Sequence, residues 1–69
     1  MMRFTVSVVP GEEGGFTVQC IEVPGAISEG ETIEEALENI EDAIAEVLAA
    51  RREEATRLHA RLESVDVDA

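Results

Sequence analysis

The sequence predicts an α+β fold of order β-β-β-α, a three-stranded antiparallel sheet with one long helix packed on one face. Three observations point to it. Apolar and polar residues alternate over residues 3–9 and again over residues 16–21, the period of a half-buried strand. Glycine and proline punctuate the first thirty residues and are absent after Gly30. From Thr32 onward, apolar residues recur at three- and four-residue steps, the signature of an amphipathic helix.

In the first segment Phe4, Val6 and Val8 alternate with Arg3, Thr5 and Ser7. Pro10, Gly11, Gly14 and Gly15 then break the pattern in a cluster of turn residues. In the second segment Phe16, Val18 and Cys20 face one way, and Thr17, Gln19 and Ile21 the other. Two such runs joined by a short Gly-rich loop predict an antiparallel hairpin. Val23-Pro24-Gly25-Ala26 reads as a type II turn, because proline pre-sets φ at the second position and glycine accepts the positive φ needed at the third. Residues 26–29 are long enough for a short third strand, ended by Gly30, so the sheet occupies residues 1–30.

Thr32-Ile33-Glu34-Glu35 has the form of a capping box. The Thr32 hydroxyl would accept from the Glu35 amide, and the Glu35 carboxylate would reach back to the Thr32 amide. Ile33, Ala36, Leu37, Ile40, Ala43, Ile44, Val47 and Leu48 form one stripe, with Glu34, Glu38, Glu41, Asp42 and Glu46 opposite. The stripe continues, diluted, through Ala55, Leu58 and Leu62, which predicts helix over residues 32–62. Thirty residues at ~1.5 Å each span roughly 45 Å, whereas a seven-residue strand covers only about 23 Å. The sheet can shield about half of such a helix, so residues 51–62 are expected to overhang and pack on another copy, to bend back, or to fray. In residues 63–69, Val65 and Val67 alternate with polar neighbours, a pattern that suits a short fourth strand or a loose tail.

Length and composition narrow the function classes. The 69 residues make a single domain, residues 1–69, with a core that is marginal for its size. Cys20 is the only cysteine and His59 the only histidine, so neither an internal disulfide nor a Cys/His zinc site can form. Self-association, as a dimer or tetramer, is the expected supplement. Apolar residues make up 45% of the chain, ordinary for a folded domain. No apolar run approaches the roughly 20 residues of a membrane span, and the N-terminus leads into a strand pattern rather than a signal peptide. With a lone free cysteine, these features predict a cytoplasmic protein without membrane attachment.

The formal charge is −11, with five arginines and no lysine. Nucleic-acid backbones are bound through Lys and Arg, so direct nucleic-acid binding is not expected, and a basic protein is the better partner. Acidity that serves only solubility is the plainer alternative. The charge is uneven: residues 1–50 hold eleven acids against Arg3 alone, and Arg51, Arg52, Arg57 and Arg61 follow. Acids early and arginines late in a helix complement its macrodipole. The functional reading of the same pattern is pairing with the acidic face of a neighbouring subunit. The candidate interface is therefore Arg51, Arg52, Ala55, Leu58 and Leu62, and Leu58→Glu is expected to weaken self-association without unfolding the core.

Nothing in the sequence points to catalysis, a metal or a cofactor. A two-metal nuclease needs several carboxylates at strand ends, and residues 3–9 and 16–21 contain none. Cys20 alternates with Phe16 and Val18 and reads as a small buried hydrophobe, while His59 reads as a solvated helix residue. No Gly-Lys-Ser/Thr follows the loop glycines, so they form no phosphate loop.

Three stretches together resemble a known family: Gly15-Phe16-Thr17-Val18, then Cys20-Ile21-Glu22-Val23-Pro24-Gly25-Ala26, then the run from Ser28 through Gly30-Glu31-Thr32-Ile33-Glu34-Glu35-Ala36 to Ile40. In this order and spacing they are similar to the N-terminal domain of HicB-like antitoxins, over roughly the first fifty residues. The resemblance implies a reduced RNase H-like sheet-and-helix fold. It also implies a partner, a small basic mRNA-cleaving toxin that the antitoxin covers and neutralises. Complete members of the family carry a C-terminal DNA-binding domain, and this chain reaches Ala69 without one, so direct operon repression is not expected. A solitary oligomeric module of the same fold, with no toxin, is the alternative that the resemblance leaves open.

Overall fold

A computed structural model describes residues 2–68. Three strands, β1 (Val6–Pro10), β2 (Phe16–Cys20) and β3 (Ile27–Gly30), precede one helix, α1 (Ile33–Arg57). The strands form an antiparallel meander in the order β1-β2-β3, which is the predicted α+β architecture.

Register follows the alternation. Val6 pairs with Cys20, Val8 with Val18 and Pro10 with Phe16, while Val18 pairs in turn with Ser28. Residues paired across strands share a face, so Phe16, Val18 and Cys20 point toward the helix together with Val6 and Ser28. The turn into β3 is type II as expected: the Ala26 amide donates to the Val23 carbonyl at 3.1 Å, and Gly25 takes φ +97°. The first strand is shorter than its pattern suggested. Phe4 and Thr5 precede the ladder, although the Ile21 amide still donates to the Thr5 carbonyl at 2.8 Å. The third strand is displaced by one residue, starting at Ile27 and including Gly30.

The core lies between the sheet and α1. Val18, Cys20, Val23 and Ala26 from the sheet side meet Ala36, Ile40 and Ile44 from the helix, with Phe4, Val6, Phe16, Ala43, Val47 and Leu48 around them. Burying Ile40 completely is worth roughly 1.5–3 kcal/mol. The helix lies over β2 and β3. The first strand is left less covered, and Val8, placed on the core face by its register, remains 38% exposed.

The start of α1 departs from the predicted capping box in one contact. Thr32 caps it, its hydroxyl accepting from the Glu35 amide at 3.1 Å. The Glu35 carboxylate accepts from the Glu31 amide at 3.2 Å, one residue before the expected Thr32 amide. At Gly30 the end of β3 lies close against the helix backbone. A Cβ there would come within 2.5 Å of the Ala36 nitrogen, so no larger residue fits without separating the two elements.

The helix stops at Arg57 rather than continuing to Leu62. Leu58 is the cap, His59 adopts φ +55°, and two backbone bonds close the end. The Ala60 amide donates to Ala55 O at 2.8 Å and the His59 amide to Thr56 O at 3.1 Å. This is a Schellman termination with histidine in the left-handed position usually held by glycine. The helix is therefore about 37 Å long, and the overhang beyond the sheet is shorter than expected. Residues 60–68 carry no strand, so the fourth-strand alternative is not realised among the described residues.

Candidate partner-binding surface

Two surfaces on α1 have the chemistry to hold another protein. The first is the acidic side of the helix. Glu34, Glu38, Glu41, Asp42 and Glu46 are all exposed, because the helical repeat that buries Ala36, Ile40 and Ile44 turns the intervening positions outward. Among the described residues the ion pairs are Arg57 with Glu54 and Arg61 with Glu63, and neither involves this side. Among the described residues none of these five carboxylates is held in an ion pair.

The second surface is a shallow groove at the other end of α1. After the Schellman turn the chain doubles back, and Leu62, Glu63 and Ser64 face Leu48, Arg51, Arg52 and Ala55. Of the five residues predicted as an interface, the structure brings Arg51, Arg52, Ala55 and Leu62 to this groove. Leu58 lies outside it, at the helix cap and 69% exposed. Arg51 is partly committed within the chain, since its guanidinium donates to Pro24 O at 2.9 Å and ties the helix to the β2–β3 turn.

Two polar links escaped the sequence reading. Glu22 Oε1 accepts from the Thr5 amide at 2.7 Å and from the buried Cys20 thiol at 3.7 Å. The Thr5 hydrogen bond, opposed by desolvation, holds the Glu22 carboxyl below the usual carboxylate range. Asn39 Nδ2 donates to Glu29 O at 2.8 Å and fastens α1 to the outer strand β3. The Thr5–Glu22 and Asn39–Glu29 bonds have no local sequence signal, because each joins residues at least ten positions apart. Among the described residues no group of three or more His, Cys, Asp or Glu side chains is placed to hold a metal ion. Among the described residues no helix is long and apolar enough to cross a membrane.

Comparison with known proteins places this architecture. A family model described as HicB_like antitoxin of bacterial toxin-antitoxin system matches residues 4–68. The chain belongs to the HicB-like antitoxin family. Antitoxin HicB of Escherichia coli K12 is 42% identical over 43 residues, covering 62% of this chain and 31% of that protein. Antitoxin HicB 1 of Photorhabdus laumondii is 46% identical over 43 residues, covering 62% of this chain and 28% of that protein. This HicB-like chain thus spans about a third of the length of the curated relatives it matches. No solved structure matches it.

Proposed function

We propose that this HicB-like domain is a non-catalytic binder that neutralises a small basic mRNA-cleaving toxin in the cytoplasm. The observation that carries the reading is the acidic side of α1, five exposed carboxylates without cationic partners on a member of an antitoxin family. A ribonuclease must present cations to hold its RNA, and those same cations complement an acidic helix. Covering them would block RNA entry without any chemistry by the antitoxin.

The test is to look for a reading frame for a small basic protein beside this chain's gene and to co-express its product with the chain. Wild type relieves growth arrest, and the triple variant Glu38→Arg/Asp42→Arg/Glu46→Arg, which leaves the core stripe intact, fails to. Relief that survives the triple charge reversal would sink the acidic-helix mechanism. No relief by wild type would leave the second reading, an oligomeric module of the same fold without a toxin. The groove beside Arg52 is the observation that favours that second reading.

A further inference from the structure

We propose that the open edge of β1, with the groove between β1 and α1 beside it, takes an extended basic segment of the partner protein as a fourth strand. The inference deepens the toxin-binding reading and rests on it for the source of that segment. Hydrogen-bond phase decides which backbone groups are open. The Ile21 amide donates to the Thr5 carbonyl and Val6 stands opposite Cys20, so Thr5, Ser7 and Val9 turn their backbone groups toward β2. Val6, Val8 and Pro10 therefore turn theirs away from the sheet, and Pro10 suits this phase because no N–H is needed there. At the opposite edge the outward Glu29 carbonyl is already engaged, accepting from Asn39 Nδ2 at 2.8 Å. An edge that presents unpaired amides is a template for another strand.

The surface beside this edge is apolar. Because α1 lies over β2 and β3, Phe4 and Val6 meet Leu37, Ile40, Glu41 and Ile44 along a groove open to solvent. Val8 is 38% exposed and Leu37 40%, so a strand added to β1 would remove apolar surface from water. The rim selects the occupant. Glu34, Leu37, Glu41 and Ile44 follow one another at steps of three, four and three and form one ridge, so two exposed carboxylates flank the groove. They favour a strand that carries a cation among the apolar side chains on its helix-facing side. The chain's own tail offers no cation after Arg61, and its Val65 and Val67 stand 83% and 81% exposed. A second copy would bring a net charge of −11 to the same rim.

The experiment follows amide hydrogen exchange of the full chain by NMR, with the synthetic peptide Thr-Val-Thr-Lys-Thr-Val-Thr as probe and the same peptide with Glu in place of Lys as control. With Kd on the order of 0.5 mM, ~1 mM lysine peptide should slow exchange at Val6 and Val8 about threefold. Ser7 and Val9, already paired with β2, should not change, and the glutamate peptide should act more weakly. Val8→Pro removes one open amide in the phase that Pro10 already occupies, and should abolish the slowing at Val6 while circular dichroism stays that of wild type. Glu41→Gln, at an exposed position, keeps the edge and should shrink the preference for lysine over glutamate by about twofold or more, so the test does not depend on Val8→Pro folding. No slowing at Val6 and Val8, or equal slowing by both peptides, overturns the proposal. Protection already present in the free chain would assign the edge to its own tail, and protection that grows with chain concentration would assign it to a second copy; either overturns the proposal too. Growth relief is scored separately: relief without edge protection sinks this inference alone, and edge protection without relief sinks the toxin reading alone.

Discussion

At the residue scale, Gly30 and Glu22 show how single atoms hold the layers together. A methyl group at position 30 would meet the Ala36 nitrogen at 2.5 Å and its Cα at 2.9 Å. Both are helix backbone atoms that cannot rotate aside, so the helix itself would have to lift. Gly30→Ala is therefore expected to cost about 1–3 kcal/mol, and thermal unfolding checks it at ~4–8 °C of Tm per kcal/mol for a domain of this size. Glu22 acts through charge. Its carboxyl is held below its ordinary value of 4.5, first by the hydrogen bond from the Thr5 amide. A folded-state pKa below the unfolded one gives stability that is present above the unfolded pKa and lost as pH falls through the folded one. Glu22→Gln should therefore lower Tm at pH 7, and the gap from wild type should close as pH drops below 4.5. A gap that stays constant down to low pH would mean that the carboxylate's charge is not what matters there.

At the element scale, the two ends of α1 were unequally legible. Thr32 announces the start, because a hydroxyl three residues before Glu35 is a local arrangement that the chain can satisfy by itself. The end carries no such signal. Arg57 is followed by neither glycine nor proline, and the diluted stripe through Leu58 and Leu62 reads as more helix. What stops it is His59 in the left-handed region, a conformation that histidine adopts more often than most residues but that no spacing rule reveals. That one residue also turns the tail back against Arg52 and Ala55, so a groove built by Leu62 could not be read from helical periodicity. The strands were legible for the opposite reason. Burial on one face imposes a period of two, and Val18 and Cys20, buried at 0% and 1% exposure, follow it. Only the ends of the ladders moved. His59→Gly would remove the Cβ strain of the left-handed position, at ~1–2 kcal/mol, against a glycine entropy cost of roughly 0.5–1 kcal/mol. A net gain of about 0.5–1 kcal/mol is expected, read as a rise in Tm. Thr32→Ala should lose about 1 kcal/mol at the other end, and Thr32→Ser very little. Leu58→Glu, at a cap residue 69% exposed and outside the groove, should leave the fold intact.

At the scale of the whole molecule, charge is the term that structure and composition leave least balanced. Five arginines face sixteen acids, and both side-chain ion pairs among the described residues are exposed. Exposed pairs contribute at most about 1 kcal/mol each, while a net charge of −11 repels itself through every pair of like charges in a small volume. Repulsion therefore outweighs attraction in the folded chain, and unfolding relieves it by moving the charges apart. Salt screens such exposed charges, with a Debye length that falls from ~30 Å at 0.01 M to ~8 Å at 0.15 M. The described chain extends 45 × 29 × 20 Å, so its charges interact across the whole molecule at the lower ionic strength and only locally at the higher. Tm is accordingly expected to rise with sodium chloride over this interval, measured at low protein concentration. Glu46→Gln, which removes one exposed charge without touching the core, should raise Tm at low salt and lose that advantage at high salt. A Tm that falls with added salt would mean that attractive pairs dominate the fold. It would then be wrong to treat the acidic helix as an unsatisfied surface awaiting a basic partner.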